Sequence, residues 1–338
     1  MSGQWDRYSR QMLFSPIGEA GQRKLFGKRV LIVGVGALGT VIANHLVRGG
    51  VGHVRLADRD YVEKSNLQRQ LLFDEEDVSK ALPKAIAAER KLRRINSDVQ
   101  VEGHTIDVTK ATIETLLDGV DLVVDGTDNF STRFLLNDIC FKNNVPFVYG
   151  GAVASRGMTA MFVPGKTPCL RCMVSQDGEA GQTCDTIGVL GPVVDVAASY
   201  QAVEVLKYLV GDEKTRRDSL LTFDLWANRF YEMDFAKPRS DCPTCQKREY
   251  PALTAAGDEV TSLCGRETIQ IHIQKNFELA EWEERLNRVA AVTKTPFLLR
   301  VDLPEGERLV MFPDGRTLIQ GTEDLTKAKS LYARYIGM

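Results

Sequence analysis

The sequence lacks a surplus of charge of either sign. Its 338 residues include 43 Lys and Arg against 45 Asp and Glu, which gives a formal net charge of −2 at pH 7. A chain with this balance generates no global positive field of the kind that gathers nucleic acid or anionic lipid. We therefore expect no nucleic-acid partner.

Long apolar runs and targeting signals are also missing. The chain contains no stretch of about eighteen consecutive apolar residues, the length that suggests a membrane-spanning helix. Its first residues, MSGQWDRYSRQMLF, have neither the basic start nor the apolar centre of a signal peptide. We therefore expect a cytoplasmic protein with no membrane partner.

Histidine is scarce, and one common nucleotide-binding motif is absent. The 4 histidines are dispersed along the chain and match no metal-ligand spacing, so we assign them no function. The sequence contains no GxxxxGK[ST] motif, which excludes a nucleotide site of the P-loop type. A bound nucleotide must be held in another way.

Short β-branched segments alternate with helical patterns from Val30 onward. This alternation predicts parallel strands joined by right-handed crossovers, and so an α/β fold with a Rossmann-like, mostly parallel sheet and flanking helices. The predicted strands are 30–35, 54–57, 99–101, 122–124, 146–149, 158–163, 220–225 and 230–233. The predicted helices are 37–47, one after Pro83, 130–142 and 193–210.

The composition changes at residues 240–250, SDCPTCQKREY, and predicts a domain boundary. We interpret residues 1–250 as the first domain and 252–259 as a loop. Residues 251–338 then form a small α+β domain of unknown role, with strands 269–273, 297–301, 309–312 and 317–319, a helix over 280–289 and a terminal helix.

A glycine-rich turn connects the first strand to the first long helix. In VLIVGVGALG, Gly34, Gly36 and Gly39 allow a tight turn, close ligand approach and close helix packing. Asp58 ends the next strand, where a carboxylate can accept both ribose hydroxyl protons. An NAD-dependent oxidoreductase is the conventional interpretation. The polar and cationic stretch 58–70 instead favours phosphoryl or nucleotidyl chemistry, in which phosphate charge must be neutralised.

Two pairs of cysteines have metal-ligand spacing. Cys169-x-x-Cys172 and Cys242-x-x-Cys245 each place two thiolates on one side of a tight turn. A single CxxC is compatible with a redox pair, but two pairs in proline-containing loops favour a tetrahedral Cys₄ zinc site. We predict a structural Zn²⁺ with no open coordination position.

Several motifs, taken together, resemble one enzyme family over about residues 5–248. The motifs are RYSRQ at 7–11, GVGALG, Asp58 followed by SNLQR at 65–69, Pro83-Lys84, DGTDN at 125–129, and CDTIG from Cys184 with GPVV after it. The chain is similar to the ubiquitin-activating-like adenylyltransferases of bacterial thiazole and molybdopterin biosynthesis, the ThiF and MoeB proteins.

The resemblance implies a role for each matching residue. It assigns nucleotide binding to Gly34, Gly36, Gly39, Asp58, Ser65, Asn66, Arg69, Lys84, Asp128 and Asn129. It assigns catalysis to Arg10, Arg69, Lys84, Asp128 and Cys184. Asp128 would hold Mg²⁺, and Arg10 would reach into a neighbouring subunit's site, which implies a homodimer. Cys184 resembles the thiol that in relatives forms a covalent link with the carrier or with sulfur.

The activity that the resemblance implies is ATP-dependent adenylation of a protein tail. The substrate would be the C-terminal glycine of a ubiquitin-like sulfur carrier, ThiS-like or MoaD-like, and the products its acyl-adenylate and pyrophosphate. A carboxylate is already ionised at neutral pH, so no side-chain base is needed. The C-terminal domain shows no rhodanese-like cysteine loop, so a separate sulfur donor such as a cysteine desulfurase is expected. A catalytically silent carrier-docking subunit is a further alternative.

Overall fold

Apolar strands that are buried on both faces build the centre of the computed structural model. The structure describes residues 3–174, 187–254, 260–263, 267–273 and 275–337. The chain separates into two compact units, residues 1–255 and 256–338. Each unit has its own sheet and its own apolar core.

The first unit contains an 8-stranded sheet with the order β3-β2-β1-β4-β5-β6-β7-β8. Its strands are β1 Arg29–Val33, β2 His53–Asp58, β3 Gln100–Thr105, β4 Leu122–Asp125, β5 Phe147–Val153, β6 Arg156–Phe162, β7 Ser219–Asp224 and β8 Arg229–Asp234. Strands β1 to β5 are parallel, and β6 to β8 continue the sheet antiparallel. The predicted Rossmann-like, mostly parallel sheet is confirmed.

Helices cover both faces of this sheet. They are α1 Ser9–Met12, α2 Gly18–Phe26, α3 Ala37–Arg48, α4 Glu75–Ser79, α5 Lys84–Ile95, α6 Ile113–Leu116, α7 Phe130–Lys142, α8 Leu170–Met173, α9 Gly191–Val210 and α10 Pro251–Thr254, with 3₁₀ turns at Gly3–Tyr8 and Lys64–Asn66 and a π turn at Pro243–Lys247. Helix α3 packs on α5 and α9. Leu31 and Val33, which are alternate residues of β1, pack instead in an apolar core that includes residues of α6 and α7.

The predicted loop at 252–259 is wrong at its start. Residues Pro251–Thr254 form the short helix α10, and residues 255–259 lie outside the described part of the chain. Proline suits a first helical position because its missing N–H has no partner there in any case. Leu253 packs against the apolar cluster of the first unit, so a tertiary contact stabilises this turn of helix.

The described residues of the second unit form a 6-stranded sheet and two helices. Its strand order is β11-β12-β13-β14-β10-β9, all antiparallel. The elements are β9 Val260–Leu263, β10 Thr268–His272, α11 Leu279–Leu286, β11 Ala291–Lys294, β12 Leu299–Asp302, β13 Arg308–Met311, β14 Arg316–Gln320 and α12 Leu325–Tyr335. Alternate strand residues such as Ile269 and Leu309 pack with Leu331 and Tyr332 of α12.

The strand order of the first unit decides where a ligand can bind. The chain passes from β1 to β2 and β3 on one side and then to β4 on the other side of β1. The carboxyl ends of β1 and β4 therefore face a crevice at the point where the order reverses, which is the usual ligand position in open α/β sheets. Within the described residues, no helix has the length and apolar composition to cross a membrane.

Candidate nucleotide site and cysteine cluster

The glycine loop after β1 brings three backbone segments into close contact. Gly34 has φ +86°, and a Cβ there would lie 2.7 Å from the carbonyl carbon of Gly126. A Cβ on Gly39 would lie 1.9 Å from the Gly34 oxygen, so any side chain there would push α3 away from the turn. The helix N-terminus can approach a phosphate because these positions carry no side chain.

Asp58 holds the glycine loop in place at the end of β2. Its Oδ2 accepts the Val35 N–H at 2.6 Å, and its Oδ1 accepts the Asp60 N–H at 2.8 Å. A carboxylate has about four acceptor sites, so both oxygens can still accept a ribose hydroxyl. Burial raises the pKa of Asp58, and the positive charge of Lys84 opposes this rise.

Lys84 is a buried cation at the start of α5. The residue is 3% exposed, and its Nζ lies 3.2 Å from Asp60 Oδ2. Its backbone N–H also donates to the Asp60 carbonyl at 2.9 Å. Asp60 was not predicted as a site residue, although it stands two positions after Asp58. The structure thus brings Lys84 to Asp58 and Asp60 across the gap between β2 and α5.

The SNLQR segment begins in the 3₁₀ turn Lys64–Asn66. Ser65 is exposed, whereas Asn66 is buried and its Oδ1 accepts the Glu63 N–H at 3.1 Å. Arg69 is half-buried and donates from Nη1 to the Ser65 carbonyl at 3.0 Å. The guanidinium retains further N–H donors for a phosphate.

Gln70 is a further polar group that the sequence reasoning missed. It is 4% exposed, and its Oε1 has no hydrogen-bond partner among the described residues. A Cβ on Gly36 would lie 3.6 Å from Gln70 Nε2, which places this amide against the glycine loop. A buried amide oxygen without a partner is costly, so the position favours a ligand or water there.

The end of β4 presents Asp128 just before helix α7. Asp128 is exposed, and Asn129 is the N-cap of α7, where its Oδ1 accepts the Thr132 N–H at 2.9 Å. The cap satisfies one of the unpaired N–H groups of the first helical turn. A carboxylate oxygen is the ligand type that Mg²⁺ prefers, and the exposed Asp128 fits that role.

Arg133 is a second group that the sequence reasoning missed. Its Nε donates to the fully buried Asp125 at 3.1 Å, and its Nη2 donates to the carbonyls of Thr127 at 2.8 Å and Gly150 at 3.0 Å. Burial alone would lower the pKa of Arg133, but the charges around it, including Asp125 and Asp128, raise it. Arg133 therefore connects the end of β4 and the loop after it with Gly150 in the middle of β5.

Arg10 is exposed on a segment that its neighbours anchor to the first unit. Tyr8 is buried and its hydroxyl accepts from Asn96 Nδ2 at 2.8 Å, while Gln11 donates to the Gly49 carbonyl at 2.9 Å. These two contacts hold the segment against the first unit, and Arg10 between them is exposed.

The four predicted metal ligands meet in space. Cys169, Cys172, Cys242 and Cys245 place their Sγ atoms within 4.8 Å of one another. The Cys169–Cys242 and Cys172–Cys245 separations are 3.5 Å, and Cys169–Cys172 is 4.0 Å. Tetrahedral coordination with Zn–S bonds of about 2.3 Å sets sulfur separations of about 3.8 Å, so the donor set fits one zinc ion. Burial raises the pKa of Cys245 to about 12.

Three cysteines lie outside the cluster of four. Cys184 and Cys264 lie outside the described residues. Cys140 on α7 is fully buried, and burial raises the pKa of its thiol. A buried thiol with a raised pKa is a poor nucleophile, so Cys140 contributes to packing.

A glycine loop, a carboxylate at the end of β2 and a polar crevice at the strand-order reversal define a nucleotide-binding α/β protein. A model of the ThiF family matches residues 8–244. The chain belongs to the ThiF family. The sulfur carrier protein ThiS adenylyltransferase of Bacillus subtilis (strain 168) is 46% identical over 336 residues, 98% of this chain and 99% of that protein.

Other relatives share the first unit. The sulfur carrier protein ThiS adenylyltransferase of Escherichia coli (strain K12) is 38% identical over 71% of this chain and 94% of that protein. Among solved structures, E. coli MccB with AMPCPP and MccA aligns with a TM-score of 0.61 and 26% identity, over 72% of this chain and 75% of that one. The predicted ThiF/MoeB membership and the nucleotidyltransferase class are confirmed, and these relatives give no support to the oxidoreductase alternative.

Proposed function

We propose that this protein uses ATP to adenylate the C-terminal glycine carboxylate of a ubiquitin-like sulfur carrier protein. The single observation that supports this most directly is the buried Lys84 beside Asp58 and Asp60 at the carboxyl end of β2. A lysine cation that is shielded from water can neutralise phosphate oxygens, and a carboxylate beside it can accept hydrogen bonds from ribose hydroxyls. The B. subtilis relative, matched over 99% of its length, favours a ThiS-like carrier over a MoaD-like one.

The reaction is a substitution at the α-phosphorus of ATP. One oxygen of the carrier's terminal carboxylate forms a bond to that phosphorus. The bond from phosphorus to the oxygen that bridges the α- and β-phosphates breaks, and pyrophosphate leaves with that electron pair. No proton moves, because the attacking carboxylate is ionised and pyrophosphate is a stable anion at neutral pH. Catalysis then depends on positioning and on neutralising phosphate charge.

Each predicted residue has a place in this proposal. Asp58 accepts the ribose hydroxyls, the loop amides at Gly36 meet a phosphate, and Arg69 and Lys84 neutralise phosphate oxygens. A Mg²⁺ held at Asp128 would neutralise charge on the leaving pyrophosphate. We assign Asn129 to helix capping, because its Oδ1 is already engaged by the Thr132 N–H. Asn66 supplies a donor beside Arg69, and the Gln70 amide lies against the glycine loop at Gly36. The remaining residues, Gly34, Gly39 and Ser65, shape the backbone.

The proposal also includes a second copy of this chain and a metal ion in the cysteine cluster. Arg10, exposed between two anchored residues, would serve the site of a second subunit in a homodimer. Zn²⁺ is the proposed occupant of the Cys₄ cluster, where four thiolates leave no open position for catalysis. A separate enzyme would supply the sulfur, with thiamine-thiazole biosynthesis the favoured pathway and molybdenum-cofactor biosynthesis the alternative.

The test is pyrophosphate exchange with two purified carriers. The protein, ATP, Mg²⁺ and labelled pyrophosphate are incubated with a ThiS-like carrier, with a MoaD-like carrier and with no carrier. Label should enter ATP only when a carrier is present, and most strongly with the ThiS-like carrier. Exchange with neither carrier would contradict the proposed function. Exchange only with the MoaD-like carrier would contradict the pathway.

Cys184 is expected to act after adenylation. A Cys184→Ala variant should show carrier-dependent pyrophosphate exchange within about twofold of the parent, because the carboxylate itself is the nucleophile at phosphorus. Sulfur transfer to the carrier, measured by mass spectrometry of the carrier tail as a thiocarboxylate, should fall. Undiminished thiocarboxylate formation would remove this thiol from the sulfur-transfer step.

A further inference from the structure

A buried carboxylate links both cysteine pairs to helix α7. Asp138, on α7, is 0% exposed. Arg171 donates to it twice, from Nε to Oδ1 at 2.9 Å and from Nη2 to Oδ2 at 3.0 Å. Thr244 Oγ1 donates to Oδ1 at 2.5 Å, and the Ala252 N–H donates to Oδ2 at 2.8 Å. Three segments distant in the sequence therefore converge on one side chain.

The donors to Asp138 belong to the metal-binding turns themselves. Arg171 stands between the two cysteines of the first CxxC pair, and Thr244 between those of the second. The neighbouring Asn137 adds a contact, since its Oδ1 accepts the Leu170 N–H at 2.9 Å. The Arg171 guanidinium also lies over the Phe134 ring, 4.4 Å from its centroid. Helix α7 is thus bound to both turns by hydrogen bonds and by packing.

The same helix begins at the proposed nucleotide site. Asn129 caps it, Asp128 precedes the cap, and Arg133 in its first turns connects Asp125 at the end of β4 with Gly150 within β5. Asp138 lies nine positions after Asn129, which is about 14 Å of helix at 1.5 Å per residue. An α-helix of this length transmits a displacement along its axis with little bending, because its backbone hydrogen bonds resist deformation.

We propose that Asp138 is a positioning residue that couples metal binding in the Cys₄ cluster to the placement of Asp128. With the metal bound, the two turns are cross-linked and hold Arg171 and Thr244 on Asp138. Without it, the turns can separate and remove these donors from a buried charge. A buried carboxylate that loses its partners is strongly unfavourable, so α7 shifts or admits water. This inference rests on the proposed nucleotide site at Asp128.

Hydrogen exchange on the metal-loaded and chelated protein tests the coupling without any assay of activity. Zinc is removed with a chelator, and backbone exchange is followed by mass spectrometry. Exchange at residues 127–133 should become about tenfold faster, because the first turn of α7 loses its fixed position. Helix α3, which packs on the opposite face of the sheet, is the internal control and should be unchanged. Unchanged exchange at 127–133, or equal loss of protection in α3, would overturn the proposal.

A substitution separates positioning from simple stabilisation. Asp138→Asn preserves shape but removes the negative charge and one acceptor oxygen, so the Arg171 and Ala252 donors compete for what remains. We expect the KM for ATP in carrier-dependent exchange to rise about tenfold, with kcat within about twofold and zinc content unchanged. A lowered melting temperature with an unchanged KM would show a merely structural role and refute the coupling.

A matched control is Glu114 on α6, whose partner Lys142 is on the same helix as Asp138. Lys142 at the end of α7 pairs with Glu114 at 2.8 Å, and both side chains are exposed. Glu114→Gln removes a carboxylate partner of α7 without touching the cysteine turns, and its KM for ATP should equal that of the parent. An equal rise in KM in Glu114→Gln would overturn the assignment to Asp138. If the parent shows no carrier-dependent exchange, the proposed function fails, and the hydrogen-exchange result still decides the coupling.

Discussion

The aspartates at the edge of the sheet where the strands have their carboxyl ends differ from the aspartate at the cysteine cluster in burial and in hydrogen bonding. At the edge, Asp128 is exposed and Asp58 is half-buried, so a ligand can approach both. At the cluster, Asp138 is fully buried and accepts hydrogen bonds from Arg171 and two other segments. Both carboxylate oxygens of Asp138 are engaged by protein donors, which makes it a framework group, whereas Asp58 and Asp128 lie where a ligand can reach them.

The largest expected effect is that of a substitution at this edge of the sheet, which should lower activity while the stability of the fold is kept. Asp128→Ala should lower carrier-dependent pyrophosphate exchange by about a hundredfold to a thousandfold, because phosphate charge loses its counterpart. Thermal unfolding should be nearly unchanged, since the side chain is exposed. Exchange near the parent level would remove Asp128 from the mechanism. A large fall in melting temperature would instead make it a framework residue like Asp138.

Lys84 is buried like Asp138, and the proposed function assigns it to the nucleotide as it does Asp128. Lys84→Met should lower exchange by about a hundredfold. The change also removes the charge that opposes the raised pKa of Asp58, so that pKa should rise further. If activity requires ionised Asp58, the acid limb of the pH–rate profile moves to higher pH.

The stability of Lys84→Met should depend on pH with a definite sign. Asp58 has a folded-state pKa above its unfolded value, so the folded state binds more protons between those two values, and stability falls as pH rises through that interval. The loss in the variant should therefore be greatest above the folded pKa of Asp58 and shrink as pH falls. Urea unfolding at several pH values measures this. A loss independent of pH, with an unmoved acid limb, would show that Lys84 does not act on Asp58.

The smallest expected effect is that of substituting Asn129, the N-cap of α7. Asn129→Ala should lower the free energy of unfolding by about 1 kcal/mol, because the Thr132 N–H loses its cap. Asn129→Asp keeps an acceptor at the same position and should restore stability, and pyrophosphate exchange should stay near the parent level in both variants. A loss of exchange as large as that of Asp128→Ala, without rescue by Asp, would show that Asn129 contacts the ligand directly.

Much of the fold follows from local patterns. Helix 130–142 has the bounds that the sequence predicts, and the glycine turn follows β1 as expected. Strands β9 and β11 were missed. The segment Ala291–Lys294 is short and mostly exposed, so it has no apolar alternation to reveal it, and pairing with β12 makes it a strand. The turn of helix at Pro251–Thr254 was missed for a similar reason, since its contacts are with α7.

The sequence by itself determined those groups whose geometry depends only on residues close to them along the chain. The spacing of glycines, of paired cysteines and of Asp128 beside its helix is set within a few residues, and backbone geometry turns that spacing into shape. Tertiary structure alone decided the rest. Arg133 meets Gly150, Lys84 meets Asp60, and Asp138 meets Thr244 from 106 positions away. A buried charge takes whichever partners folding brings to it, and no local pattern encodes that choice.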